Sequence, residues 1–193
     1  MSNRYINGMT SDEALIKGCV SNDRACQHAL YARYSRKMMM ICHRYTRRTE
    51  DAEDVLQEGF IRVFNHINSF KGDSKLETWM TRIFINAALN HQRQKLYLFP
   101  MVDIEESTIT QSEEANLADF HVDELLEMIR SLPDGCRIVF NLFAIEGYPH
   151  KEIASMLKIS EGTSKSQFNR AKMLLRVRLS EEKQYGKFGK TTI

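Results

Sequence analysis

The feature that most constrains this chain is an interruption. Apolar residues recur at helical spacing from about residue 10 to 95 and again from 122 to 180, but no sustained period links the two stretches. In residues 96–121, Pro100, Ser107, Thr108, Thr110, Gln111 and Ser112 stand among acids. A single core running through the whole chain would need an amphipathic face there. The segment reads instead as an acidic flexible linker. With only 3 prolines and 9 glycines in 193 residues, helices joined by short turns are favoured over strands. The expected fold class is all-α: helical domains at 10–95 and 122–180, the linker 96–121 between them, and a tail at 181–193.

Charge follows the same division. The formal net charge of +2 hides blocks of one sign. Arg33 to Arg48 holds six Lys/Arg and no acid, and Asp51 to Glu58 holds four acids and no base. Between Lys95 and Arg130 there are nine acids and no Lys or Arg, while Thr163 to Ser180 holds five Lys/Arg and no acid. No run reaches the roughly 18 apolar residues of a membrane span, and the polar N-terminus has no signal-peptide pattern. Cys19, Cys26, Cys42 and Cys136 form no CxxC pair and no zinc-ligand spacing with histidine. They are expected to be reduced thiols in a cytoplasmic protein, with no metal or cofactor.

Helix signals subdivide the first module. Ser11-Asp12-Glu13 caps a short helix through about Val20. A second begins near Asp23 and carries Ala29, Leu30, Ala32, Met39, Met40 and Ile41. Asp51 opens a third, with Leu56, Phe60, Val63, Phe64 and Ile67 on one face. Gly72-Asp73 marks a turn, and a fourth helix runs from about Lys75 to Lys95. In the second module Val122–Arg130 is helical, Leu132-Pro133-Asp134 breaks, and Gly135 to Ile145 resumes as helix until Gly147. Helices at Pro149–Leu157 and Ser160 to about Ser180 complete it.

The last two helices are separated by so short a turn that they form a helix-turn-helix, whose second helix can enter a major groove. Ser164, Phe168, Ala171 and Leu175 should face the core. Turned away are Ser166, Asn169, Arg170 and Arg176, flanked by Lys165 and Lys172: a cationic face without acids, as base edges and phosphates require. A merely solvated basic face is the plainer alternative.

At this point a resemblance becomes specific. Leu132-Pro133, Arg137, Val139-Phe140, Glu146-Gly147, Glu152-Ile153-Ala154, Leu157, Ile159-Ser160, Gly162-Thr163, Lys165-Ser166 and Arg170-Ala171 resemble the promoter-binding C-terminal domain of bacterial sigma factors. The likeness is closest to the extracytoplasmic-function (ECF, group 4) family. It implies that Thr163, Lys165, Ser166, Asn169, Arg170 and Lys172 contact the −35 element. Three positions depart from the pattern. Lys158 stands where glycine usually takes a left-handed backbone, at an expected cost of roughly 1 kcal/mol. Ser164 replaces an apolar residue, and Gln167 replaces a frequent arginine. A tilt caused by the Lys158 and Ser164 departures would instead bring Ser166 or Gln167 to the bases.

In the first module Asp54, Gln57, Glu58 and Ile61 share a face opposite the apolar stripe. Early acids also suit a helix N-terminus, but that does not explain an exposed isoleucine beside Gln57 and Glu58. Such a face fits a protein partner with basic residues around a small pocket. Asp51 to Phe60 is similar to the sigma segment that binds the β′ clamp helices of RNA polymerase. The loop Phe70-Lys71-Gly72-Asp73-Ser74, then Trp79 and the stripe Arg82, Asn86, Asn90 and Arg93, resembles the sigma elements that hold an unstacked −10 base. Read singly, a tryptophan such as Trp79 is more often core than platform. The family resemblance implies binding without catalysis, to core RNA polymerase (β′ clamp helices and β subunit) and promoter DNA, with an anti-sigma factor as regulator and no small-molecule substrate. Two other readings stay open: an operator-binding helix-turn-helix regulator, and a metal-dependent enzyme using Asp51, Asp54, Glu58 and His66.

Overall fold

The computed structural model describes residues 11–96 and 122–186, with side chains described for 11–92 and 124–181. The linker and the last seven residues of the expected tail lie outside these. The chain divides into two compact units, Met1–Phe99 and Pro100–Ile193. Among the described residues there are eight α-helices and no strand.

The first unit is a bundle of α1 (Asp12–Val20), α2 (Arg24–Tyr45), α3 (Thr49–His66) and α4 (Leu76–Leu96). Local capping sets its first boundaries. Ser11 Oγ accepts the Ala14 N–H at 3.3 Å, and Asp23 Oδ1 accepts the Ala25 N–H at 2.8 Å, satisfying donors that a helix start leaves open. Asn22 bridges the two helices at φ 57°, a left-handed conformation that Asn tolerates. α3 begins at Thr49, two residues before the expected Asp51. Its buried side is Ala52, Val55, Leu56, Gly59, Phe60 and Val63. A Cβ on Gly59 would lie 2.3 Å from the Phe84 ring, so the glycine allows α3 and α4 to close. Phe60 meets Phe84 edge-on, with centroids 5.2 Å apart, a favoured aromatic geometry.

In α2 the buried spine differs from expectation. Cys26, Leu30, Tyr34, Met38, Ile41, Cys42 and Tyr45 are buried, whereas Ala32 is exposed and Met40 is 56% exposed. Tyrosine and cysteine serve as core here: the Tyr34 ring is buried while its hydroxyl donates to Asp12 Oδ2 at 2.6 Å. A reading by aliphatic residues alone missed that phase.

The second unit holds α5 (Val122–Arg130), α6 (Asp134–Phe140), α7 (His150–Leu157) and α8 (Glu161–Gly186). The helix expected from Gly135 to Ile145 is α6 followed by a π-helical turn, Asn141–Ile145, where the Glu146 N–H donates to Asn141 O at 3.0 Å. Such widened turns are usually single insertions within α-helices. Gly147, at φ 78°, ends it as expected. Pro149 stands at the cap of α7 rather than in its first turn. α8 runs through Gly186, past Ser180 and into the expected tail. Leu132, Cys136 and Ala171, with Phe140, Leu174 and Leu175 against them, form the core between α6 and α8. Arg137 is wholly buried; its Nη2 lies 2.8 Å from Asp134 Oδ1, and its Nη1 donates to Arg130 O.

Candidate nucleic-acid and partner interfaces

The acidic stripe of α3 faces outward. Asp54, Gln57 and Glu58 are exposed, and Ile61 is 55% exposed. Helical period places all four opposite the Val55/Phe60/Val63 side. Glu58 Oε1 accepts from Arg62 Nε at 2.7 Å, which offsets part of its charge. Asp54, Val55, Glu58 and Arg62 of α3, with Ala87, Asn90 and His91 of α4, line a groove of about 320 Å³. Asp51 reaches His91 at the same groove, 3.5 Å from its Nε2. Among the described residues no three His, Cys, Asp or Glu side chains gather as a metal-holding group.

The loop before α4 is open. Lys71, Gly72, Asp73 and Ser74 are all exposed, and Gly72 takes φ 80°, a region that favours glycine. At its base the Phe70 and Trp79 rings lie 5.4 Å apart at 55°, both half-buried. Trp79 is thus neither sealed in the core nor a free platform; one side of it is taken by Phe70. Arg82 and Asn86 are exposed. Asn90 departs from their stripe: it is half-buried and lines the groove with Asp54 and Glu58. The Arg93 side chain lies outside the described residues.

In the helix-turn-helix, Lys158 has φ 57° and ψ 46°, the left-handed turn expected there. Ser160 Oγ accepts the Thr163 N–H at 2.9 Å and so caps α8. Lys165, Asn169 and Lys172 are exposed, while Thr163, Ser166 and Arg170 are partly buried. Several of these groups already have internal partners. Lys165 Nζ sits 2.7 Å from Glu161 Oε1, an acid just before the acid-free run. Ser166 Oγ donates to Thr163 O at 3.0 Å. Lys172 Nζ lies 5.0 Å from the centroid of the Phe168 ring.

The two departures at Ser164 and Gln167 both point inward. Ser164 is wholly buried, and its Oγ is 2.9 Å from His150 Nδ1. The His150 ring stacks on Phe143, with centroids 4.3 Å apart at 11°. Burial, and then the Lys165 ammonium, hold its pKa below the ordinary histidine value. Gln167 is buried, and its Oε1 accepts from the Cys136 thiol at 3.0 Å. Gln167 therefore does not reach base edges. Burial pushes the Cys42 thiol up to about 12 and Cys19 up to about 11, so these cysteines are inert protonated packing groups. Sequence reasoning missed His150 as a support of α8. A buried serine on a helix otherwise facing the core was the available signal, because such a hydroxyl needs a partner.

Known proteins share this plan. Residues 30–96 match the model of Sigma-70 region 2, and residues 123–175 match that of Sigma-70, region 4; together they cover more than half of the chain. The ECF RNA polymerase sigma-E factor of Escherichia coli (strain K12) is 29% identical over 174 residues, spanning 84% of this chain and 91% of that protein. The RNA polymerase sigma-H factor of Pseudomonas aeruginosa is 28% identical over 173 residues, spanning 83% and 90%. Among solved structures, the sigma factor RpoE in complex with the anti-sigma factor NepR from Bartonella quintana aligns at 19% identity and a TM-score of 0.48, covering 78% of this chain and 94% of that one. With both regions present, in order and over nearly the full length of such relatives, the chain belongs to the ECF sigma factors of the sigma-70 family.

Proposed function

We propose that this protein is a group 4 sigma factor that works in the cytoplasm, bound to core RNA polymerase, and carries out no reaction of its own. The observation that carries the reading is the presence of two distinct exposed surfaces on one bundle. An acidic stripe with an exposed isoleucine, Asp54, Gln57, Glu58 and Ile61, suits the β′ clamp helices. The separate open loop Phe70–Ser74, over the Phe70/Trp79 pair, suits an unstacked −10 base. Arg82 and Asn86 extend that second surface along α4. In the other domain the exposed Asn169 and the partly exposed Arg170 read −35 base edges, while Lys165 and Lys172 meet phosphates. Domain limits near 10–95 and 122–180 follow the same division of labour. The β subunit completes the polymerase contact, and an anti-sigma factor holds the protein inactive.

Reconstitution tests it. Core polymerase with the full-length protein should initiate run-off transcription from fragments of a genomic library that core alone leaves silent. Asp54→Lys/Glu58→Lys should lose co-purification with core while keeping the helical content of the wild type. Asn169→Ala should relax the preference at one −35 position, with a good bidentate contact worth about 1–3 kcal/mol. A folded double mutant that still co-purifies removes the assignment of the α3 stripe.

A further inference from the structure

The basic block from Arg33 to Arg48 has no part in the surfaces above. Its first four basic residues lie on α2, where Arg33, Arg36, Lys37 and Arg44, with Met40 among them, fall on one side of the helix. Arg36 and Met40 on that side are turned away from the buried spine through Leu30, Tyr34, Met38 and Ile41, and Arg33, Lys37 and Arg44 lie nearer to it. Neighbouring helices claim the edges of this basic side. Arg33 Nη1 is 2.7 Å from Asp12 Oδ1 of α1, and Lys37 Nζ is 2.7 Å from Glu77 Oε2 of α4. Between them Arg36 is exposed and has no acid against it among the described residues. Met40 is 56% exposed at the middle of the face. Arg47, just past the end of α2, is exposed as well.

We infer that this face of α2, centred on Arg36 and Met40, together with Arg47 just past the helix end, binds the phosphate backbone of promoter DNA. The inference rests on the sigma-factor reading and extends it to a third DNA surface, apart from both the −10 loop and α8. Charge decides the partner. The polymerase contact proposed for α3 calls for a basic partner surface, which a face of arginines repels. A polyanion satisfies it instead. The Lys37–Glu77 pair sets this face beside the first turn of α4, directly after the loop that holds the −10 base, so a DNA strand at the loop has phosphates within reach of α2. An exposed methionine among the arginines is a flexible apolar contact for a sugar or base beside those phosphates.

The test uses holoenzyme made from core polymerase and full-length Arg36→Ala, Arg36→Ala/Arg47→Ala or Met40→Ala protein. Promoter binding is measured over a series of salt concentrations, on duplex DNA and on DNA unpaired through the −10 region. Each arginine that meets a phosphate should flatten the plot of log affinity against log salt by about 0.9 on duplex or about 0.7 on a single strand. The double variant should therefore lose nearly twice as much slope as the single one. Met40→Ala should weaken binding with no change of slope. An unchanged slope in the Arg36→Ala/Arg47→Ala holoenzyme on both DNAs overturns the inference. Loss of that variant's co-purification with core also overturns it, because the face would then be a protein contact. A wild-type protein that fails to bring core to any promoter would overturn the sigma-factor reading itself; variant and wild type then fail together.

Discussion

The two units solve the same packing problem in different ways. Among the described residues the α1–α4 bundle buries an almost wholly apolar core. Its two buried polar side chains, Thr46 and Gln92, each donate to a backbone carbonyl, Cys42 O at 3.0 Å and Tyr45 O at 2.7 Å. The shorter second unit buries four polar side chains, Arg137, Asn141, Ser164 and Gln167. Three of them bond across helices: Ser164 to His150 of α7, Gln167 to Cys136 of α6 and Arg137 to the Arg130 carbonyl of α5. Small domains bury a smaller share of their surface, and in this one paired polar groups fill positions that apolar residues could occupy. An apolar core is held by area and shape, and a polar one by satisfied partners. The two respond differently to substitution.

Arg137→Ala should be the most damaging change. It empties a wholly buried site and removes the Asp134 ion pair, costing about 3 kcal/mol. The loss should appear in hydrogen-exchange protection of α6 and α8 while α2–α4 stay protected. Arg137→Met, which fills the volume without charge, should recover all but about 1.5 kcal/mol. Failure of methionine to recover it would show that the ion pair, and not the filled space, holds α6.

In the apolar bundle, shape is the sensitive quantity. Gly59→Ala brings a methyl within 2.3 Å of the Phe84 ring. Overpacking outweighs the gain in helix propensity, for a net loss of about 2 kcal/mol. Trp79, the only tryptophan, lies in this unit, so denaturant unfolding followed by its fluorescence reads the loss directly. An unchanged midpoint would mean that α3 and α4 slide apart cheaply, and that the contrast between the units is overdrawn.

Ser164→Val tests the polar unit more gently. It strips His150 Nδ1 of its partner and should cost about 1 kcal/mol. The same pair predicts a pH dependence. The imidazole is held below its ordinary value of 6.5, first by burial, then by Lys165 and, more weakly, Lys172, with Glu161 opposing. The unfolded chain therefore takes up the proton first, and the stabilising contribution present above pH 6.5 is lost as pH falls through the lower folded value. His150→Gln should flatten that slope in a thermal melt of the C-terminal unit. An equal slope in the variant assigns the effect elsewhere.

The smallest effect expected is a gain. Lys158→Gly relieves a left-handed backbone at φ 57° and should add somewhat under 1 kcal/mol, the glycine's extra freedom in the unfolded chain offsetting part of the relief. A loss instead would mean that the lysine side chain contributes to the turn more than its backbone costs.

Much of this molecule follows from residues close together in the chain. The caps at Ser11, Asp23 and Ser160, the turns at Gly72 and Gly147, and the outward set of Asp54, Gln57, Glu58 and Ile61 were all legible in the sequence, because capping bonds and the helical period act within about four residues. What the sequence left open were residues able to be buried or exposed according to their partners. Met38 lies in the core and Met40 on the surface because α3 and α4 set the phase of α2. Asn90 leaves the stripe of Arg82 and Asn86 because α3 forms the other wall of its groove. Gln167 turns inward because Cys136, 31 residues away, supplies its hydrogen bond. Ser164, expected to face the core, finds there a partner 14 residues away, His150, that the sequence did not reveal. Arg137 is buried because Asp134 and the Arg130 carbonyl meet it there. An amphiphilic or polar side chain carries no fixed preference for the interior; the group that packs or bonds against it decides, and only the folded chain brings that group near.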